Sequence, residues 1–211
     1  MEYLSVGGDS PDRPRHALQQ NRKVRIEETI VVSAIHILNA SDIGNDHLEL
    51  IARRVQETFA TTTDISDRPF NLSRAYDSSR GQYNSTVLLA ELLNSSPPAE
   101  NKLIAVVDVD LYIPVLTFVF GEAQLNGRAA VVSVQRLSNE FYGLPQDEKT
   151  TFRRLEKEIV HELGHTFGLF HCRRYDCVMR SSTYVEEIDL KGVEPCESCR
   201  TALKGVRWNP S

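Results

Sequence analysis

Residues 161–171 read H-E-L-G-H-T-F-G-L-F-H and concentrate the groups in this chain that could do chemistry. On a helix His161 and His165, four apart, lie only about 40° apart around the axis, so both imidazoles face one way. Two imidazoles so placed bind one cation, and nitrogen ligands suit Zn2+ among several transition metals. Glu162 is rotated about 100° from His161, where a carboxylate reaches a metal-bound water without displacing it and serves as a general base. Gly168 stands where such a helix must stop, because glycine takes the left-handed conformation that turns the chain. His171 then folds back as a third ligand, leaving a position for water, whose pKa falls to about 7 on zinc. Two other readings stay open: imidazoles that cover an apolar helix face, and a metal site without catalysis. The intact Glu162 favours the active site.

A second group follows at once. All four cysteines, Cys172, Cys177, Cys196 and Cys199, fall in the last forty residues, spaced C-x4-C and C-x2-C. Four thiolates can enclose a closed, tetrahedral Zn2+ with no room for substrate, a site that would fold a core-poor tail. Two disulfides, free thiols or a nucleic-acid-gripping ribbon are the alternatives. Against the ribbon, residues 172–211 hold seven basic and six acidic side chains, no phosphate-binding face. Met179 is the only internal methionine, and taken by itself reads as core filler.

The elements that must carry these residues are legible from periodicity. T-I-V-V-S-A-I-H-I-L, residues 29–38, alternates and is β-branched, so a strand is expected there, with His36 as a strand residue rather than a ligand. Leu48, Ile51, Val55 and Phe59 recur at helical spacing behind Asn45-Asp46, which reads as the cap. A second helix is expected over residues 79–94, ending before Ser95-Ser96-Pro97-Pro98. Three β-rich runs follow: K-L-I-A-V-V-D-V-D, T-F-V-F-G and A-A-V-V-S-V. Asp108 and Asp110 share a strand face, although capping or solvation explains Asp110 at the head of the L-Y-I-P turn. From Gln146 to Phe170 a long helix is expected, carrying His161 and His165.

Composition bounds the rest. With 211 residues, 41 % hydrophobic and 25 % charged, the chain suits one folded domain. Residues 1–25 read as a flexible leader, His16 included, and 26–211 as a single unit. The net charge of −5, from 24 basic against 29 acidic groups, has the wrong sign for general phosphate-backbone binding, so no nucleic-acid partner is expected. No run of eighteen apolar residues exists and the first thirty lack a secretory signal, so the expectation is a cytoplasmic monomer away from membranes. In a reducing compartment the clustered cysteines point to metal before disulfide.

The Gly168 and His171 additions make the histidine motif the eleven-residue metzincin pattern, with Met179 matching its methionine turn. With His171 followed directly by Cys172, and with C-E-S-C downstream, the chain resembles the archaemetzincins, a metzincin family with an extra four-cysteine zinc site. The resemblance runs from about residue 30 to 204 and takes in A-Y-D-S-S-R-G-Q-Y-N-S and D-L-Y-I-P-V-L-T-F-V-F-G-E-A. Sixteen residues separate Met179 from Cys196, slightly fewer than in the family pattern. The resemblance implies an α+β, zincin-like fold: a twisted mixed sheet with helices, the active-site helix among them, and a small zinc-stapled C-terminal part. It further implies zinc-dependent hydrolysis of a peptide or protein substrate. His161, His165 and His171 would hold a catalytic Zn2+, Glu162 would be the base, and Cys172, Cys177, Cys196 and Cys199 would hold a structural Zn2+. T-F-V-F-G-E-A would be the edge strand along which an extended peptide adds, an ordinary buried strand being the other reading. Tyr184 reads as a packing residue outside the site.

Overall fold

The computed structural model describes residues 32, 34–66, 68–94 and 101–204. The expected leader, residues 1–25, lies outside the described residues, as does the start of the 29–38 run. Strand β1 spans Ile35–Ala40, the later part of that run and two residues beyond it. Helix α1 (Asn45–Phe59) follows and buries Leu48, Ile51, Ala52, Val55 and Phe59. Its N-cap is Gly44 rather than Asn45 or Asp46. Asn45 lies inside the helix and accepts a hydrogen bond from Asn39 Nδ2 at 3.0 Å, which ties the helix start to the end of β1.

Five strands form the main sheet in the order β2 (Thr63–Ser66), β1, β5 (Lys102–Val107), β8 (Ala129–Ser133), β7 (Gly121–Ala123). The pairs β2–β1, β1–β5 and β5–β8 are parallel, and β7 runs antiparallel at the edge. β5 and β8 are buried along their whole length, as parallel strands covered on both faces must be. Alternation sorts their side chains. Ile35, Ile37, Ile104, Val106, Ala130 and Val132 meet α1 and helix α3 (Glu148–Thr166) on one face. Leu38, Leu103, Ala105, Val107, Ala129 and Val131 meet helix α2 (Ser85–Asn94) on the other. At about 25 cal/mol per Å2 of apolar surface removed from water, burial on the first of these faces is the main term holding α3 in place.

A small sheet, β3 (Tyr76–Asp77), β4 (Gln82–Asn84) and β6 (Leu111–Tyr112), departs from the expected pattern. The helix expected from residue 79 begins only at Ser85. Gly81 adopts φ +68 in the β3–β4 turn, and Asn84 Oδ1 accepts from the Thr86 and Val87 amides at 3.0 and 3.3 Å, which fixes the helix start there. The edge strand is likewise shorter than T-F-V-F-G-E-A: only Gly121–Ala123 pairs with β8, while Val119 makes an isolated bridge to Leu111. After α3 the chain forms α4 (Val185–Leu190) and α5 (Glu197–Lys204). The fold is α+β with a mixed sheet, and the four cysteines gather in the C-terminal part, as expected. Among the described residues no helix is long and apolar enough to cross a membrane.

Candidate metal and active site

Helix α3 is capped by Asp147, whose carboxylate accepts from the Thr150 amide at 3.0 Å and hydroxyl at 2.7 Å. Nineteen residues later its last turn is closed by bonds from the Phe167, Gly168 and Leu169 amides to carbonyls of residues 163–165. Gly168 takes φ +88, the left-handed turn expected of it. The reversal returns His171 to the helix face that carries His161 and His165. Ring centroids are 4.7 Å apart for His161–His165, 4.8 Å for His165–His171 and 5.3 Å for His161–His171. One nitrogen from each lies within 4.8 Å of the others.

Backbone carbonyls aim the two helical imidazoles. His161 Nδ1 is 2.8 Å from Val178 O, and His165 Nδ1 is 2.7 Å from Leu169 O. With each Nδ1–H donating outward, both Nε2 lone pairs point inward, 3.2 Å apart. Two imidazoles bound tetrahedrally at about 2.0–2.1 Å would stand about 3.3 Å apart. Burial holds all three histidines below the usual imidazole pKa, so they are neutral donors at pH 7.

Glu162 is 6 % exposed and faces the edge strand. A Cβ placed on Gly121 would stand 2.7 Å from Glu162 Cγ, 2.8 Å from its Oε1 and 2.8 Å from Val131 O, so only glycine leaves room for this carboxylate. Burial pushes the Glu162 pKa well above the carboxylate range, the neighbouring Glu158 adds to the rise, and Lys191 opposes it. The next strand residue, Glu122, turns away to accept from the Ser85 and Thr86 hydroxyls.

Met179, next to the residue whose carbonyl orients His161, is fully buried. A Cβ on Gly164 would overlap its sulfur and come within 3.0 Å of Cε, so the glycine of H-E-L-G-H is what lets the thioether in. Met179 O accepts from the Cys172 amide at 2.9 Å, and the Val178 amide donates to Glu194 O at 3.1 Å. The four thiols converge beside this turn. Cys172 and Cys196 sulfurs are 3.8 Å apart, Cys177 and Cys199 3.9 Å, and all four cysteines are free. Sulfurs bound tetrahedrally at about 2.3 Å would be about 3.8 Å apart, so the donor set fits Zn2+ and the disulfide alternative is not realised. The Ser198 hydroxyl lowers the Cys196 pKa to about 6, whereas burial raises Cys177 and Cys199.

Other residues weighed from the sequence lie elsewhere. The partly exposed Asp110 carboxylate takes a bidentate ion pair from Arg136 at 2.5 and 2.7 Å instead of capping a turn, while Asp108 accepts from the Asp42 amide. They form no carboxylate pair. His36 bonds to Asp64 at 2.5 Å and Asn101 at 2.8 Å, away from the histidine cluster. Tyr184 is the exposed cap of α4. Neither Gly121 nor Gly164 carries a local sequence signal of its side-chain neighbour, although Gly164 lies inside the motif.

The profile of peptidase family M54 matches residues 73–205, spanning both clusters. The chain belongs to that family. The archaemetzincin of Methanocaldococcus jannaschii is 36 % identical over 175 residues, 83 % of this chain and 95 % of that one. The archaemetzincin of Archaeoglobus fulgidus is 37 % identical over 161 residues, 76 % of this chain and 93 % of its own. Among solved structures, a zinc-dependent peptidase from Methanocorpusculum labreanum superposes with TM-score 0.72 at 30 % identity, over 80 % of this chain and 99 % of that one. The A. fulgidus archaemetzincin, complexed with malonate, gives 0.67 at 35 % identity over the same shares. Membership makes this chain a zinc metallopeptidase of the archaemetzincin type.

Proposed function

We propose that the chain hydrolyses peptide bonds in a peptide or protein substrate, with Zn2+ held by His161, His165 and His171 and with Glu162 as general base. The observation that carries this reading is the convergence of three neutral imidazoles beside one buried carboxylate. When bound, the zinc supplies a Lewis acid that polarises the scissile carbonyl and acidifies water. Glu162 takes the water's proton and passes it to the departing amine, a task suited to a carboxylate whose proton affinity burial has raised. Strand β7, paired only with β8 among the described residues, offers its other edge to an extended substrate backbone. Cys172, Cys177, Cys196 and Cys199 hold a second, structural Zn2+, in the cytoplasm, where clustered thiolates serve metal rather than disulfides.

Zinc per chain, measured by elemental analysis on protein purified without added metal, tests this reading, alongside a His165→Ala variant and cleavage of a quenched peptide library. Two zincs in the parent, one in the variant, and cleavage by the parent alone are expected. Two zincs with no cleavage would instead make the chain a zinc-stabilised peptide-binding protein, and one zinc in both would empty the histidine site of its role.

A further inference from the structure

Behind the histidine site lies a buried ion pair to which the reaction as described gives no part. Lys191 Nζ is 2.7 Å from Glu158 Oε1, with side chains 0 % and 4 % exposed. Nζ also donates to Arg180 O at 3.2 Å. Burying such a pair strips two ions of water, and apolar side chains of similar volume commonly do as well or better for stability. Docking α4 onto α3 does not require it either. Arg154 already grips Asp189 with two bonds of 2.8 and 2.7 Å, and Lys157 donates to Ile188 O at 2.8 Å.

The position of the pair explains it better. Glu158 lies one turn before His161 and Glu162 on α3. Arg180 directly follows Met179, and Val178 O is the acceptor that orients His161. The contacts therefore close a ring: Glu158, along the helix to His161, across to Val178 O, through Met179 to Arg180 O, and back through Lys191 Nζ to Glu158. Every link is a covalent segment or a polar contact of 3.2 Å or less, the Glu158–Lys191 link being an ion pair rather than an aligned hydrogen bond, so the strut reaches the carbonyl that orients the His161 ring.

We propose that Lys191 and Glu158 are positioning residues, a buried strut that fixes the methionine turn against α3 and so sets the His161 imidazole and its metal in the geometry the reaction needs. The activity part of its test rests on the peptidase reading; the spectroscopic part does not. The experiment uses holoenzyme whose histidine-site metal has been exchanged for Co2+ by mild chelation, the thiolate site left as purified. Three variants are compared with the parent: Lys191→Met, Lys191→Arg, and the double variant Glu158→Gln/Lys191→Met, which removes both charges and leaves no ion buried alone if the single variant fails to fold.

The expected result is a double variant that melts close to the parent but shows an altered Co2+ visible band. Its kcat, as the zinc enzyme, falls at least about tenfold with KM within about twofold, the size of effect known for groups that orient metal ligands. Lys191→Arg, which keeps the charge and its donors, regains part of both. A double variant with the parental band and parental kcat, changed in Tm alone, overturns the proposal and leaves the pair as a fold clamp. If the parent itself cleaves no peptide, the peptidase reading fails, and the Co2+ band still decides whether the strut sets the site.

Discussion

The proposed chemistry rests on a carboxylate that packs directly against the backbone of Gly121. Glu162 is buried on the helix side by its own turn and on the strand side by Gly121, so its orientation is imposed rather than chosen from solvent rotamers. Replacing Glu162 by Gln keeps the shape and removes the base of the proposed mechanism. Zinc content should stay parental while kcat falls about 10^2- to 10^4-fold, read from metal analysis and initial rates on one preparation. Gly121→Ala attacks the same group from outside, because its Cβ has no space beside Glu162 or Val131 O. The helix or β7 must then shift by several tenths of an ångström, and turnover should drop at least about tenfold with zinc still bound. Parental turnover in a metal-loaded Gly121→Ala protein would show that this packing tolerates more play than the structure gives it.

At the scale of elements, α3 acts as a ruler whose far end must be held. Lys102 on β5 does part of this, donating from Nζ to Thr166 O at 2.8 Å in the last helical turn and to Gly127 O at 2.6 Å. A cation suits a helix C-terminus, yet burial outweighs that benefit and, with Arg128 nearby, lowers the Lys102 pKa from 10.5 to about 8. A folded value below the unfolded one means that the unfolded chain holds more protons between those two pH values. The destabilisation from charging Lys102 is thus fully present below about 8 and is relieved as pH rises towards 10.5. Urea unfolding of the parent should show this contribution as a gain in stability across that window, and Lys102→Met should abolish it. An unchanged pH slope in the variant would assign the gain to other groups.

Across the whole molecule the two clusters form one mechanical unit. His171 and Cys172 are adjacent, Cys177 adjoins the residue whose carbonyl orients His161, and the Cys172 amide bonds Met179 O. Removing a thiolate should therefore be felt at the imidazoles. Cys196→Ser is expected to lose the thiolate-site zinc and to lower Tm by roughly 5 to 10 °C, because metal binding and local folding are coupled. Affinity of the histidine site for zinc, measured by chelator competition, should weaken in the same variant. Parental affinity there would mean that the two sites are independent.

What the sequence alone determined is what depends on near neighbours. Helical periodicity placed His161, Glu162 and His165 on one helix, Gly168 marked its end, and cysteine spacing announced the thiolate cluster, because each rests on angles between residues a few positions apart. The strand cores of β5 and β8 were legible for the same reason. Boundaries were not: the helix expected from residue 79 starts at Ser85, and the edge strand shrinks to Gly121–Ala123, because turn geometry and pairing with β8 decide where such runs begin and end. Gly121 against Glu162, Gly164 against Met179 and Lys191 against Glu158 left no mark in the chain's local pattern. Each is a contact between segments that only packing brings together, and close packing is specified by shape and volume in three dimensions, which no one-dimensional period encodes.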